Sequence, residues 1–214
     1  MSAGRSALAN AAGLVLLVLA LGGCSSAGLD VRYPAAGASS VPLTGVPRQH
    51  VDVDRITDHR ADTARIGVDP KTGQAVVTNR PVTDIVREAV LAEVRGNGPV
   101  SALGGRDLVL SAAIEEFRLD EIGGYGSVLY VGRVVIALRA IDGQTGETLL
   151  TRRYIGIKRQ QVDKPSDAAR RETMDAALAR TMHDLATDAT LNRVLGRPGT
   201  RRKRGARCVD GSSG

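Results

Sequence analysis

Hydrophobic and polar residues alternate along this chain with two different periods, and the change of period predicts its elements. From His50 to Ile56 apolar and polar residues alternate, which predicts a half-buried strand, and residues 74–78 predict a second short strand. After Pro81 the apolar spacing changes to three and four residues, which predicts an amphipathic helix that ends at the Gly-Asn-Gly-Pro of residues 96–99. The apolar positions of this helix are Val82, Ile85, Val86, Ala89, Val90 and Val94.

Three more strands are predicted after this helix. The apolar positions of the first run from Leu108 to Ile114 and then change phase at Phe117, which predicts a β-bulge at residues 115–116. Turns are predicted at residues 123–126 and 142–146, and residues 148–157 form the last strand. The inward positions of the middle strand are Val128, Tyr130, Gly132, Val134, Ile136 and Leu138, with Arg133 and Arg139 pointing away.

A long helix closes the predicted domain. Ser166 is placed to cap its N-terminus, and its apolar stripe consists of Met174, Leu178, Thr181, Met182, Leu185 and Ala189. The element order β(β)-α-β-β-β-α predicts an α+β fold in which two helices pack on one face of an antiparallel sheet.

The first residues have the pattern of a bacterial lipoprotein signal. An apolar run at residues 11–21 is too short to cross a bilayer but suits the hydrophobic region of a signal peptide. It is followed by Leu21-Gly22-Gly23-Cys24, which resembles a lipobox, so Cys24 is the predicted site of lipid attachment and residues 1–23 the signal peptide. Ser25, where a lipoprotein retained in the inner membrane often has Asp, favours the periplasmic face of the outer membrane.

The mature chain divides into three parts by composition. Residues 24–47 are rich in Gly, Ser, Ala and Pro, a composition that predicts a flexible tether. Residues 48–196 are predicted to form the α+β domain, and residues 197–214 are predicted to be a basic disordered tail. The tail has six basic residues against Asp210, whereas residues 24–196 have a net charge of zero, so the formal charge of +6 is due mainly to the tail. Arg201, Arg202, Lys203 and Arg204 could contact an anionic surface. The alternative to such a contact is a solvated tail that aids solubility. Cys208 also lies in this tail.

Composition and motifs predict a protein without catalytic activity, metal or cofactor. Five aromatic residues, none of them Trp, argue against binding of single-stranded nucleic acid by stacking. The sequence contains no G-x-S-x-G or S-x-x-K motif. The carboxylates nearest to a calcium pattern do not have EF-hand spacing; they are Asp52, Asp54, Asp58 and Asp62. The histidines at 50, 59 and 183 lie in no catalytic or metal motif, and an enzyme would require Asp54, Asp58, His59 or Arg60 to converge.

These features together resemble the YajG-type lipoprotein family over residues 11–196. The resemblance depends on Cys24, on Val51-Asp52-Val53 leading to Asp58-His59-Arg60 and Ile66-Gly67, on the helix of residues 82–94, and on the strands at residues 108–110 and 133–138, with a final helix ending near Leu195. It implies an outer-membrane lipoprotein with an α+β domain and no established activity. The fold also looks similar to the auxiliary lipoproteins of ABC-type lipid-transport systems.

Two functional hypotheses follow. The first is an accessory or scaffolding protein, lipid-anchored in the cell envelope, whose open sheet face or edge strand binds an envelope or transporter protein. The alternative is an auxiliary transport component that binds lipid or another small ligand in an apolar groove between sheet and helices. Neither hypothesis includes nucleic acid as a partner.

Overall fold

The structure, a computed structural model, describes residues 28–33, 50–95, 107–124 and 126–196. The predicted signal peptide, Cys24, residues 34–47 of the predicted tether, and the basic tail with its four candidate contact residues and Cys208 lie outside the described residues. The elements in chain order are β1 His50–Asp58, β2 Gly67–Val68, β3 Ala75–Val76, α1 Val82–Arg95, β4 Asp107–Gly123, β5 Val128–Asp142, β6 Thr148–Val162, α2 Asp167–Thr187 and α3 Ala189–Val194.

The predicted α+β fold is confirmed. β1, β4, β5 and β6 form a four-stranded sheet in that spatial order, and β4–β5–β6 is an antiparallel meander. β1 differs from the expected antiparallel sheet because it pairs parallel to β4. The second predicted strand, β3, does not join this sheet and pairs instead with β2, a two-residue strand that the apolar pattern does not predict.

The predicted bulge in β4 is present where the apolar phase changes. The register with β5 shifts between Ile114 and Glu116, so Ile114 and Phe117 both face the core although they are three residues apart. All six predicted inward positions of β5 are buried. The β-bulge therefore lets one long strand supply core side chains along its whole length.

Both predicted helices are present, and the second ends earlier than expected. Every predicted apolar position of α1 is buried, and Ser166 caps α2, its Oγ accepting from Ala169 N at 3.2 Å. α2 ends at Thr187 because Asp188 begins α3, accepting from Thr190 N at 2.7 Å. Ala189 is exposed, so its place in the apolar stripe of the long helix is wrong. None of the helices in the described ranges is long and apolar enough to cross a membrane.

Two glycines let α2 lie directly on the sheet. A Cβ on Gly156 in β6 would lie 2.1 Å from the carbonyl oxygen of Ala177, and one on Gly132 in β5 would lie 2.9 Å from that of Thr173. The helix side chains at this contact are small, including Thr181, whose hydroxyl donates to Ala177 O at 3.1 Å. The backbone of α2 therefore approaches two neighbouring strands more closely than any Cβ would allow.

Residues 28–33 pack against the domain and do not belong to a tether. We call this segment the strap. Leu29 is 6% exposed and Val31 is fully buried, and both belong to the hydrophobic core. The strap bonds to both helices, since Arg32 N donates to Asp175 on α2 at 2.9 Å and the Tyr33 hydroxyl donates to Glu93 on α1. The predicted tether of residues 24–47 is wrong for these six residues, because burial of their alternate apolar side chains holds them in place.

Replacing Val31 by alanine is expected to lower the free energy of unfolding by about 2 kcal/mol, because a fully buried side chain is truncated. Urea denaturation followed by circular dichroism measures this change. Val68→Ala is the matched control, because Val68 is 38% exposed and should shift the midpoint little. Equal effects of the two substitutions would contradict a structural role for the strap.

Candidate functional site

One face of the sheet is covered by the helices, and the other carries apolar side chains of which Ile122 and Ile155 are exposed. We call the second surface the open face. Its apolar positions are those that alternate with the core positions of β4–β6, and several are only half-buried or exposed: Val109, Ile122, Leu129, Val131, Ile141, Ile155 and Ile157. A half-apolar sheet face of this kind is typical of a surface that binds another protein.

Ion pairs surround the centre of the open face. Val135 lies there, directly between Glu116 on β4 and Ile155 on β6, and is only 1% exposed. Arg153 Nε lies 2.6 Å from a carboxylate oxygen of Glu115, and Arg133 Nε lies 3.6 Å from one of Glu116. Val135 is therefore covered by its neighbours, and the apolar surface that is accessible beside these ion pairs belongs to Ile155, which is 40% exposed. An accessible apolar residue bordered by charges is a feature of protein–protein interfaces.

β6 is an edge strand of this sheet, next to the open face. It is fifteen residues long and pairs only with β5. Its charged side chains are all basic: Arg152, Arg153, Lys158 and Arg159. Positive charges on an edge strand oppose indiscriminate strand pairing, so a partner that adds a strand here would need acidic residues.

At the end of the domain where α2 begins, Arg170 joins three carboxylates. Its guanidinium lies 2.7 Å from Glu121 on β4, 2.7 Å from Asp69 in the β2–β3 turn and 3.0 Å from Asp167, and it stacks over Tyr130 at 6.0 Å. Glu121 is 3% exposed, and its Oε1 has no hydrogen-bond partner among the described residues. This cluster joins the sheet, the hairpin and α2, and we assign it a structural role.

The sequence did not single out Arg170 because its partners come from four separate segments. A signal was present nonetheless. Glu121 continues the alternate inward positions set by Phe117 and Leu119, and a carboxylate at a core position requires a cation.

Of the four residues that an enzyme would bring together, Asp58 and Arg60 meet, whereas Asp54 and His59 do not join them. Asp58 and Arg60 form a bidentate pair with a shortest distance of 2.7 Å, and Arg60 also donates to the carbonyls of Thr63 and Arg65. Burial would raise the pKa of Asp58, but the hydrogen bonds from Arg60 outweigh it and hold this pKa below its usual value. Asp54 and His59 are exposed outside this pair. The pair fixes the loop after β1.

The carboxylates that come nearest to a calcium pattern also have separate surroundings. Asp52 and Asp54 are exposed on β1, whereas Asp62 pairs with Arg65 at 2.6 Å. Within the described ranges no three His, Cys, Asp or Glu side chains are grouped so that they could hold a metal ion.

Acid is expected to destabilise the domain between about pH 4 and pH 2. The hydrogen bond from Arg170 is the largest of the effects that lower the pKa of Asp69, to about 2, and Arg60 lowers that of Asp58. A carboxyl whose pKa is lower in the folded state stabilises the fold above its unfolded pKa, near 4, and loses this contribution as the pH falls through the folded value. Urea midpoints measured from pH 7 to pH 2 should therefore stay level to about pH 5 and then fall. In Asp69→Asn the fall should be smaller, and a wild-type midpoint that is constant down to pH 2 would contradict the assignment.

A cleft of 390 Å³ lies beside the strap, between the loop after β1 and the start of α1. Arg60, Arg65 and Arg80 line it against one carboxylate, that of Asp58. Arg80 pairs with Glu88 at 2.7 Å through Nη1, and its buried Nε has no hydrogen-bond partner among the described residues. Arg65 and Arg80 have their carboxylate partners, Asp62 and Glu88, outside the cleft wall, so the wall itself is rich in donors although each arginine is paired.

The space between the two helices is occupied by the chain itself. Val31 of the strap lies there with the buried faces of α1 and α2, and the layer between helices and sheet is a continuous core. The apolar groove of the ligand-binding hypothesis is therefore filled in the part of the molecule that the structure describes.

One solved structure shows the same fold, and two others align less well. A Xanthomonas campestris protein of the DUF330 family aligns with a TM-score of 0.50 and 16% identity over 80% of this chain and 93% of its own. A candidate lipoprotein from Caulobacter crescentus aligns with a TM-score of 0.39 and 14% identity over 67% of this chain and 93% of its own. The Neisseria meningitidis lipoprotein GNA1162 aligns with a TM-score of 0.27 and 14% identity over 69% of this chain and 99% of its own. At these identities the first similarity shows the fold alone, and no conclusion is drawn from the other two. No protein-family model matches the chain, and no curated protein matches it, so membership of the YajG family stays a prediction.

Proposed function

We propose that this protein is a lipid-anchored lipoprotein of the bacterial cell envelope, at the periplasmic face of the outer membrane, with a non-enzymatic accessory role. The YajG-type resemblance and the lipobox ending in Cys24 support the anchor. The observation that carries the accessory role is the open face, because its exposed Ile122 and Ile155, bordered by ion pairs, suit a protein partner. The partner we propose is an envelope or transporter protein.

The anchor is tested by replacing Cys24 with alanine. Without the thiol no thioether to diacylglycerol can form, so the variant should move from the membrane fraction to the soluble periplasm. Membrane fractions are washed with 1 M KCl before immunoblotting, to remove protein that is held by charge alone. Cys208→Ser is the matched control and should stay with the membrane. A Cys24→Ala variant that remains membrane-bound after the wash would contradict lipid anchoring.

The partner surface is tested by photo-crosslinking in cells. A benzophenone amino acid is placed at Ile155, which is 40% exposed on the open face, or at His183, which is exposed on α2. Mass spectrometry should identify an envelope or transporter protein crosslinked from position 155 and not from position 183. In a second experiment, with the photoprobe at Thr151 on the same face, Ile155→Asp should reduce the yield at least about tenfold, since a buried anchor residue of an interface contributes 2 kcal/mol or more. Equal yields from positions 155 and 183 would contradict the proposal.

The ligand-binding alternative predicts a different result. Lipid that co-purifies with the detergent-free domain, detected by mass spectrometry at one molecule per chain, would favour it over the protein-partner role. The filled layer between sheet and helices gives no support to that outcome.

A further inference from the structure

The strap is fixed to the domain from its first described residue. Leu29 N donates to Val77 O at 2.8 Å, and Asn79 N donates to Leu29 O at 3.1 Å. The backbone of Gly28 lies so close to Thr78 and Asn79 that a Cβ would be 2.6 Å from Asn79 N. Residue 28 is therefore a point on the domain surface with a defined position.

Only four peptide units join this point to Cys24. A fully extended chain spans at most about 3.6 Å per residue, so the Cα atoms of Cys24 and Gly28 are at most about 14 Å apart. This step depends on the proposed function, because it takes Cys24 to be acylated and held at the membrane surface. The 24-residue tether predicted from composition is thus replaced by a connection that keeps Gly28 next to the lipid headgroups.

The connection holds one particular end of the domain near the membrane. Leu29 lines a small cleft with Arg170, and Arg170 stacks over Tyr130 near the start of β5. The opposite end is the β5–β6 turn after Asp142, about 40 Å further along β5 at 3.4 Å per residue. The connection keeps Gly28, and with it the end that includes Asn79, close to the membrane, whereas nothing in the connection holds the far end there.

The surface beside Asn79 has the chemistry that lipid phosphates require. The arginine-lined cleft lies there, and Thr78 and Asn79 form part of both its wall and the contact with Gly28. The side chains of Arg65 and Arg80 are 48% and 30% exposed. Their carboxylate partners, Asp62 and Glu88, are themselves 45% and 59% exposed, and exposed pairs of this kind contribute little. The guanidinium groups can therefore turn to another anion at small cost.

We infer that this end of the domain is a membrane-docking surface, in which Arg65 and Arg80 bind the phosphates of anionic lipid headgroups. Two independent observations carry the inference: the length of chain between Cys24 and Gly28, and the arginines in the cleft wall, of which Arg65 and Arg80 are paired with exposed carboxylates alone. Arginine presents a planar fork of donors to phosphate oxygens. The docked domain presents the β5–β6 turn and the far half of the open face away from the membrane.

The test uses the full lipidated chain with one reactive cysteine. In a Cys208→Ser background, Asp84→Cys at the start of α1 or Gln144→Cys in the β5–β6 turn is labelled with a fluorophore. The protein is reconstituted into vesicles of phosphatidylethanolamine and phosphatidylglycerol that contain a headgroup nitroxide quencher. We expect quenching at position 84 to exceed that at position 144, because Asp84 follows Thr83 in the wall of the arginine-lined cleft whereas Gln144 lies in the turn beyond the far end of β5. Equal quenching, or more at position 144, would overturn the proposal.

Charge recognition is tested separately from proximity. The substitutions Arg65→Gln and Arg80→Gln together should at least halve the quenching at position 84. Neutral phosphatidylcholine vesicles should do the same for the labelled protein that keeps both arginines. Arg139→Gln with Arg153→Gln, which removes two charges from the open face, should leave it unchanged. If quenching at position 84 is insensitive to both lipid charge and the first pair, the connection alone holds the domain there and phosphate binding is wrong. Vesicle flotation monitors the anchor, so protein that fails to float contradicts the proposed function and not this inference.

Discussion

Replacing Gly156 by alanine is expected to destabilise the domain by about 3 kcal/mol or more, because the added methyl group has no space. Its Cβ would lie 2.1 Å from Ala177 O and 2.3 Å from Thr181 Oγ1, and the first of these atoms belongs to the helix backbone. The helix can avoid the clash only by moving away from β6. That movement would loosen the packing of the core side chains between α2 and the sheet. Thermal unfolding should show a fall in Tm of about 6–12 °C, at roughly 2–4 °C per kcal/mol for a chain of this size.

Gly123→Ala is the matched control for this substitution. Gly123 ends β4 with no heavy atom within 4 Å of an added Cβ, so the same change there should leave Tm almost unaltered. A second variant, Thr181→Ala with Gly156→Ala, removes one of the clashing atoms and should recover part of the loss. If Gly156→Ala unfolds at the wild-type temperature, the close approach of α2 to β6 is wrong.

Replacing Arg170 by alanine is expected to cost about 3–5 kcal/mol, because it leaves buried carboxylates without their cation. The Arg170 side chain is 12% exposed and that of Glu121 is 3% exposed, so solvent cannot replace the lost partner of Glu121. Burial opposes the charged form of Arg170, but its hydrogen bonds to Glu121, Asp69 and Asp167 outweigh that effect and raise its pKa. Urea denaturation at pH 7 measures the loss.

The double variant Arg170→Ala, Glu121→Gln separates charge from packing. A neutral amide at position 121 removes the buried charge, so the double variant should be more stable than Arg170→Ala alone. Arg171→Ala is the control for loss of a neighbouring arginine, because Arg171 is exposed, and should change stability little. A double variant no more stable than the single one would show that the ion cluster is not what stabilises this end of the domain.

The parts of the fold that the sequence could predict are those determined by local periodicity. The burial stripe of α1, the Ser166 cap and the bulge before Glu116 all follow from spacings of a few residues, and the structure contains each of them. The position of Ala189 was predicted wrongly because period alone does not show that Asp188 ends one helix and caps the next. Local pattern determines the elements, and side-chain caps determine their ends.

The remaining features depend on contacts between distant segments. The parallel pairing of β1 with β4 could not be predicted from the alternation in β1, since that pattern is the same for either direction. The strap was missed because Leu29 and Val31 are two apolar residues next to a stretch rich in Gly, Ser and Pro, a composition typical of linkers. The arginine-lined cleft draws on two segments that flank a hairpin, and its residues show no spacing in the sequence. These three features are visible only from the burial of the residues and the register of the strands, which composition does not show.

The strap also has a consequence for the order in which the chain folds. Arg32 bonds to Asp175, a residue 143 positions later, so residues 28–33 cannot complete their contacts until α2 has been synthesised. Contacts of such large sequence separation form late because the loop they close is entropically costly. In a chain that is anchored as we propose, the residues next to Cys24 would therefore be among the last to pack and would stay accessible to the enzymes that acylate it.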